Sequence, residues 1–542
     1  MNKLGLVSVL VVIKFLCFGQ KDFKPCIYPQ NKIEELPEMF LDIPSTFYAS
    51  KRVDAAYSTG GLNGKCAIEY HGNSTRVAAK RSYDLEFRTP GGLETSQRIL
   101  GLPYCTGIIL LANVFDPSML RNALAFDLWD QLGNTSAEYT FCNLYVDSAY
   151  QGVYMVTEKI RTVDRLIDES QWKSHPDLKD PFFMKIDWEN EGSVRIVGLY
   201  DWPLQAKVYD PKPYTNKWIG YNKELETYFE KVNRSLNSII SDDKKNIHYS
   251  ETINENSFVD YFLVSELTKN PDAYHSSVFF FSSLDGKLTM GPIWDFDLAF
   301  ANRMNPSDDE VEGWIYKKEW TYKELRTMPA WWHLLMCDSA FRTACLNRLA
   351  LIEQWIYSDD FKRNLSNHIE HLRNDLVKDA ERWGTGTDLF VPGPLRLSID
   401  EEVRTMCQFL EQRLRWMKEA LPNEPCLSPF EVTARQENYV VVPMDAVKRQ
   451  FTVKFDNDLT ASILAGGSRF QYFSSYSYEL FDSYGKLVGK GPVTGRELVI
   501  DASSLSKGNY YLIVSEHSSD DLLATSAPRM PTIYHRKLVV SN

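Results

Sequence analysis

The clearest pattern in the chain lies between residues 270 and 302. Val278, Phe279, Phe280 and Phe281 form an aromatic, apolar run that predicts a strand. Asp285-Gly286 is a hairpin turn signal, and a second strand is expected to end in Trp294-Asp295-Phe296-Asp297. Alternation of apolar and polar positions predicts further strands over residues 47–85, 108–112, 144–157 and 182–186. Gly60-Gly61 and Asn63-Gly64 mark turns in the first of these, a turn is expected at 147–152 in the third, and Lys185 sits inside the last. Helical periodicity predicts helices over 119–132, 228–240, 258–267, 341–383 and 401–421, the first capped by Asp116 and stopped by Gly133. Residues 303–318 are acidic and loop-like, a candidate lid. After Asn423-Glu424-Pro425 the pattern changes to short alternating runs with turns at Asp456-Asn457, Gly466-Gly467 and Ser483-Tyr484-Gly485, the pattern of a small β-sandwich.

Length and composition set the frame. The 542 residues suffice for two to four domains, and 44% apolar with 24% charged residues is ordinary for a globular protein. A formal charge of −12 argues against nucleic acid as partner. Residues 1–19 read as a secretory signal peptide: Lys3 supplies the positive start, residues 4–13 the apolar stretch, and Cys17-Phe18-Gly19 the cleavage site. A lipid anchor on Cys17 is the weaker alternative, because Leu16 is large for that motif. No later segment is long and apolar enough to span a bilayer. Eight cysteines follow the signal at irregular spacings without CxxC, which argues against a zinc site and leaves disulfides and buried thiols both open.

The candidate chemistry is carboxylate chemistry. Asp295 and Asp297, two apart in an extended segment, would share a face and suit a hard divalent cation. Asp-x-Asp is often merely a solvated pair, but Pro292, Ile293, Trp294 and Phe296 frame this one in apolar bulk, where an unpaired carboxylate is costly. Asp272 lies just before the hairpin, which folds back towards the pair. Lys80-Arg81, after the polar turn His71-Gly72-Asn73-Ser74-Thr75, reads either as a charged strand edge or as a phosphate contact. Alternation lets only one of the two point inward. Glu158, at a strand end, is a candidate partner for that basic residue, and Lys185 is either an edge device or a phosphate ligand.

In order along the chain, GNSTRVAAKRSYDLEF from Gly72, DPSMLRNALAFDLWDQLG from Asp116, YVDSAYQGVYMVTEKI from Tyr145, NPDAYHSS from Asn270 and GPIWDFDLAFAN from Gly291 resemble the CotH kinase family. Arg348, Trp383 and Arg413 in the helical tail also fit. The resemblance implies an α+β fold: an atypical protein-kinase-like, two-lobed domain over 46–422, with a β-rich N-lobe, a helical C-lobe and an ATP/Mg²⁺ site between them. A leader at 20–45 precedes it, and a linker at 423–430 leads to the β-sandwich at 431–542. By the same resemblance Asp272 would orient or deprotonate an acceptor hydroxyl, and Asp295 would bind the metal with Asp297 beside it. Lys80 or Arg81 would hold phosphates and Glu158 would position the basic residue. Two departures stand out. No GxGxxG loop precedes Lys80, and Ser277 stands where many members carry Asn, placing a second metal in doubt. The C-terminal stretches ELFDSYGKLVGKG from Glu479 and LSKGNYYLIV from Leu505 resemble the sorting-type sandwich domains of secreted Bacteroidetes proteins, with a plain Ig-like module as the alternative.

The expectation is therefore an exported kinase, secreted, periplasmic or at the cell surface, that transfers the ATP γ-phosphate to Ser or Thr of a protein, with Mg²⁺ as cofactor and no nucleic acid partner. A non-catalytic pseudokinase scaffold or adhesion protein is the alternative, and a metal-dependent phosphohydrolase resting only on Asp295 and Asp297 is a third.

Overall fold

The computed structural model describes residues 36–44, 47, 51–72, 74–116, 118–160, 165–172, 175–187, 193–196, 204–210, 221–240, 247–302, 310–317, 329–384 and 398–426, and beyond these 441–443, 449–454, 463–465, 471–482, 487–493, 497–505, 508–518 and 533–540. The signal peptide, Cys17 and Cys26 lie outside the described residues, as do residues 303–309 of the acidic stretch and the three C-terminal turns named above.

In chain order the elements are β1 (Glu38–Asp42), β2 (Val53–Thr59), β3 (Leu62–His71), β4 (Ser82–Arg88), β5 (Gly107–Leu111), α1 (Leu120–Gln131), β6 (Tyr139–Val146), β7 (Ala149–Glu158), β8 (Phe183–Ile186), β9 (Ser193–Ile196), β10 (Leu204–Asp210), α2 (Tyr221–Asn237), α3 (Glu255–Thr268), β11 (Val278–Ser282) and β12 (Leu288–Met290). There follow α4 (Trp331–Leu335), α5 (Ser339–Ile356), α6 (Asp359–Trp383), α7 (Ile399–Ala420), and then β13 (Val441–Pro443), β14 (Gln450–Lys454), β15 (Ile463–Ala465), β16 (Gln471–Asp482), β17 (Leu487–Val493), β18 (Glu497–Asp501), β19 (Gly508–Ser518) and β20 (Ile533–Val540). Content is mixed α and β, β-rich in the N-terminal region with helices after it. Among the described residues no helix is long and apolar enough to cross a membrane. The chain divides into two compact units, residues 1–160 with 352–404, and residues 161–351 with 405–542.

The first unit is built on a closed barrel with strand order β1-β2-β3-β4-β5-β7-β6, sealed by parallel pairing of β1 with β6. The predicted alternation holds: Tyr83, Leu85 and Phe87 of β4 join Ile68, Ile108, Leu110, Leu144 and Val156 in one apolar core. α6 lies against β7 and explains its own sequence. Its buried stripe, Phe361, Asn364, Leu365, His368, Leu372, Asp375, Leu376, Asp379 and Trp383, follows the three-and-four spacing of one helix face. Half of that stripe is polar, and each of these side chains is engaged, although Asn364 Oδ1 has no hydrogen-bond partner among the described residues. Asn364 Nδ2 donates to Asp127 Oδ2 (2.5 Å) and His368 Nε2 lies 3.3 Å from the same oxygen. Asp375 accepts from Leu36 N and Asn143 Nδ2, both at 3.0 Å. Trp383 Nε1 donates to Gln151 O (2.9 Å). Gly152, at φ 102°, is required here: a Cβ would lie 1.9 Å from Asp379 Oδ1.

In the second unit a five-stranded sheet runs β12-β11-β8-β10-β9. α3, buried over nearly its whole length, leads into β11, its first turn capped by Asn254. Among the described residues after 426 there are a six-stranded sheet, with order β13-β20-β19-β16-β15 and β17 on β16, and a two-stranded sheet of β14 and β18. Phe451, Leu480, Val493, Leu498, Ile500 and Leu512 from both sheets share one apolar cluster.

Several expectations need correction. The helix predicted over 341–383 is two helices, because Ser358 Oγ accepts from Phe361 N and starts a new one. The hairpin strand expected to reach Asp297 stops at Met290, and Asp295 has φ 69°, so the two aspartates do not stand in extended backbone. Lys80 and Arg81 precede β4 rather than lying on it, following a 3₁₀ turn at Ser74–Val77, so strand alternation does not govern them. Among the described cysteines, Cys337 and Cys426 form a disulfide, whereas Cys66, Cys105, Cys142, Cys345 and Cys407 are not disulfide-bonded.

Candidate functional site

The residues proposed from sequence fall in two places, each taken by itself. In the barrel unit, Lys80 is 1% exposed and its Nζ donates to Asp379 Oδ1 at 2.7 Å, over the ring of Tyr154. The same carboxylate oxygen accepts from Val153 N at 2.7 Å. Burial lowers the pKa of Lys80, and Asp379 opposes that shift. The expected pairing of Lys80 with Glu158 is replaced by this one. Glu158 instead accepts from Glu138 N at 3.0 Å, fixing the start of β6 against β7. Arg81 packs its guanidinium 4.9 Å from the Tyr70 ring, while its carbonyl accepts from Tyr154 OH.

The second unit gathers the other candidates. β11 pairs with β8 so that Val278 faces Ile186 and Phe279 faces Lys185. That register sets Ser276 and Ser277, just before β11, beside the end of β8. Lys185 Nζ lies 2.6 Å from Asp187 Oδ2, and Ser276 Oγ donates to Asp187 Oδ1 at 3.4 Å. Ser277, at φ 56°, donates its hydroxyl to Asp295 Oδ2 at 3.0 Å. Asn270 bridges the two ends of the segment: its Nδ2 donates to Asp295 O (3.2 Å) and its Oδ1 accepts from Asp272 N (3.1 Å). Asp297 is tied in through its carbonyl, which accepts from Asn302 Nδ2 at 2.6 Å. Asp187 was missed in the sequence, although the Lys-x-Asp spacing of Lys185 and Asp187 at a strand end puts both on one face.

The electrostatics are those of a crowded carboxylate pair with one cation. Burial raises the pKa of Asp295; Lys185 and the Ser277 hydroxyl pull it down, and Asp187 pushes it up again. For Lys185 burial acts downward, but Asp187 first, then Tyr209 and Asp295, reverse it and raise the ammonium above its ordinary value. Among the described residues no three carboxylate, imidazole or thiol groups converge on one metal position. That is compatible with Mg²⁺, which is held by one or two carboxylates and completes its shell with water and phosphate oxygens. Asp295 fits such a role: it retains some solvent access, and Ser277 is its one side-chain hydrogen-bond donor among the described residues.

A buried network braces this segment. Glu266, fully buried, accepts from Ile315 N and Tyr316 N at 2.8 Å and from Tyr274 OH at 2.9 Å, and pairs with Arg413 at 3.2 Å. Arg348 Nε and Nη2 grip Asp260 at 2.6 and 2.9 Å. Glu424 accepts from Trp314 Nε1 and Tyr316 OH, both at 2.7 Å. The residues following Asp272 are thus tied to α3 and α7 through ionic and hydrogen-bonded contacts.

The sequence profile of the CotH kinase protein family matches residues 68–417, well over half of the chain. The chain belongs to the CotH kinase family. Among solved structures, a Helicobacter pylori protein described as the proinflammatory kinase CtkA is similar, at 10% identity over 62% of this chain and 93% of its own, with a TM-score of 0.23. A search of curated proteins finds no match to the chain.

Proposed function

We propose that this CotH-family chain is an exported kinase that moves the γ-phosphate of Mg²⁺-bound ATP to a Ser or Thr hydroxyl of a surface or secreted protein. The observation that carries the reading is the cluster of Asp295, Ser277, Lys185 and Asp187, joined through Asn270 to the Asp272 turn. Phosphoryl transfer asks mainly for charge neutralisation and positioning. Asp295, with Asp297 alongside, would hold Mg²⁺, which when bound neutralises phosphate charge. Lys185 takes the phosphate-binding role, because it lies beside Asp295 and keeps some solvent exposure; the fully buried Lys80, with Arg81 and Glu158, then belongs to the framework of the barrel. Asp272 orients the acceptor hydroxyl and takes its proton as the new phosphorus–oxygen bond forms and the bond to ADP breaks.

The wider architecture in this reading is a two-lobed kinase-like domain over 46–422 and a β-sandwich over 431–542. The apolar cluster shared by the two C-terminal sheets supports the sandwich. The Cys337–Cys426 disulfide supports an oxidising, extracytoplasmic location. A Bacteroidetes-type sorting module is the reading of the C-terminal region that its sequence motifs favour. The second reading, a non-catalytic scaffold, is favoured by one observation: the Ser277 hydroxyl is directed at Asp295 instead of offering a second amide ligand.

Titration with Mg²⁺-ATP, followed by phosphate transfer to a generic acceptor or to the protein itself, tests the division of roles. Asp295→Asn is expected to weaken nucleotide binding. Asp272→Asn is expected to keep binding and lose transfer by about 10²–10⁴-fold. Loss of nucleotide binding in Asp272→Asn with Asp295→Asn unaffected refutes the assignment, and absence of any nucleotide binding in the parent favours the scaffold.

A further inference from the structure

We infer that the Lys185 ammonium stands in for a second divalent cation, so that this site uses one Mg²⁺ per nucleotide. The inference rests on the kinase reading above and concerns the metal count of the same site.

The argument is one of occupied ligand atoms. Protein kinases hold two Mg²⁺ ions between the metal aspartate and a catalytic-loop asparagine. Here Ser277 stands at the asparagine position, and its hydroxyl donates to Asp295 Oδ2. A hydroxyl that donates its proton to a carboxylate is oriented as an acid towards Asp295, and its short side chain reaches less far than an amide. The other carboxylate that electrostatics places near Asp295 is Asp187, and both of its oxygens are engaged: Oδ2 by Lys185 Nζ at 2.6 Å and Oδ1 by Ser276 Oγ at 3.4 Å. Asp295 Oδ1, by contrast, receives no hydrogen bond from a described residue, so of the Asp187–Asp295 pair it is the oxygen left for a cation, and Asp297 alongside would serve that same ion.

The ammonium is held in place. Lys185 lies on β8 opposite Phe279, with Nζ 5.4 Å from that ring and its side chain 14% exposed. Its three donors form a point charge matched to carboxylate or phosphate oxygens. Asp187 and Asp295 with Asp297 alongside, set against one fixed ammonium, leave a net charge of about −2, which one divalent ion neutralises. A second divalent ion would have to displace the ammonium from Asp187 or sit beside it against charge repulsion.

The full-length chain is loaded with a non-transferable ATP analogue, titrated with Mn²⁺, and the free ion is counted by electron paramagnetic resonance. One Mn²⁺ bound per nucleotide is expected. Lys185→Met, checked for folding by circular dichroism, is expected to bind a second Mn²⁺ per nucleotide, because Asp187 is released. Two ions per nucleotide on the unchanged chain overturn the inference and leave the kinase reading standing. No nucleotide-dependent Mn²⁺ binding removes both. A folded Lys185→Met that still binds a single ion shows that Lys185 is not what withholds Asp187, and overturns the inference. If that variant does not fold, the count on the unchanged chain decides alone.

Discussion

The two units each contain a lysine–aspartate pair, and the pairs differ in what surrounds them. Lys80 and Asp379 meet at 2.7 Å with almost no solvent contact, and Asp379 is further held by Val153 N and by the close approach of Gly152. Lys185 and Asp187 meet at 2.6 Å at a strand end, partly open to solvent, with Asp295 as a further negative neighbour. The first pair is closed, each charge answered inside the barrel unit. The second carries an excess of carboxylate, and it is the excess that can attract a cation or be balanced by a ligand. The same contrast appears in two buried histidines. His368 lies within reach of Asp127 and Tyr139 OH, whereas neither ring nitrogen of His333 has a partner among the described residues.

Breaking the closed pair has the largest expected cost. Lys80→Met leaves Asp379 buried without its cation, and about 3–5 kcal/mol of stability is expected to go. Lys80→Met combined with Asp379→Leu recovers most of it. Urea unfolding of the single and double variants measures both, and a single variant as stable as the parent would show that the pair is not closed.

The unpartnered histidine gives an acid-sensitive term of intermediate size. Burial, with a contribution from nearby Lys317, lowers the pKa of His333 to about 3, from 6.5 for a free imidazole. The unfolded chain therefore binds a proton that the folded one refuses between those values, so stability is full above pH 6.5 and falls as pH drops towards 3. The loss by pH 5 is about 2 kcal/mol. His333→Leu removes this dependence, so unfolding free energies of parent and variant, compared at pH 7 and pH 5, should differ in slope by that amount. Identical slopes would place a proton acceptor beside the ring.

The open pair should respond least in stability and selectively in binding. Lys185→Met is expected to cost about 1–2 kcal/mol in unfolding, because Asp187 is buried and loses its cation while the lysine itself keeps partial solvent contact. At limiting Mg²⁺ it should lose about tenfold in nucleotide affinity, or about 1.4 kcal/mol, and part of that loss should return at high Mn²⁺. A large stability loss with unchanged affinity would make this pair a second copy of Lys80–Asp379.

The barrel strands other than β1, the hairpin turn at Asp285-Gly286 and the main helices were legible in the sequence because period-two and period-3.6 patterns are local, whereas β1 lies in the stretch read as a leader, and only its pairing with β6 reveals it. The site was legible in part. Ser277 and Lys185 lie beside Asp295, and the backbone of Asp272 is linked to it through Asn270, but Asp187 and Asn270 were overlooked, since their contacts depend on the β8–β11 register and on a turn rather than on any motif. Lys80 or Arg81 was expected at a phosphate or on a charged strand edge; the pairing of Lys80 with Asp379, 299 positions away in the chain, has no local signature. The left-handed backbone at Asp295 and Ser277 likewise has no signature in residue type, both being non-glycine.

The Cys337–Cys426 disulfide spans 89 positions and encloses α5, α6 and α7 within one covalent ring. A protease that cuts the backbone once anywhere between those cysteines leaves two fragments still linked through sulfur. Such a nicked chain would migrate as an intact mass in a non-reducing gel and separate into two bands only after thiol treatment. The ring therefore gives the protein a tolerance to single cleavage over its helical segment, a property of use wherever extracellular proteases are present and lost as soon as the surroundings become reducing.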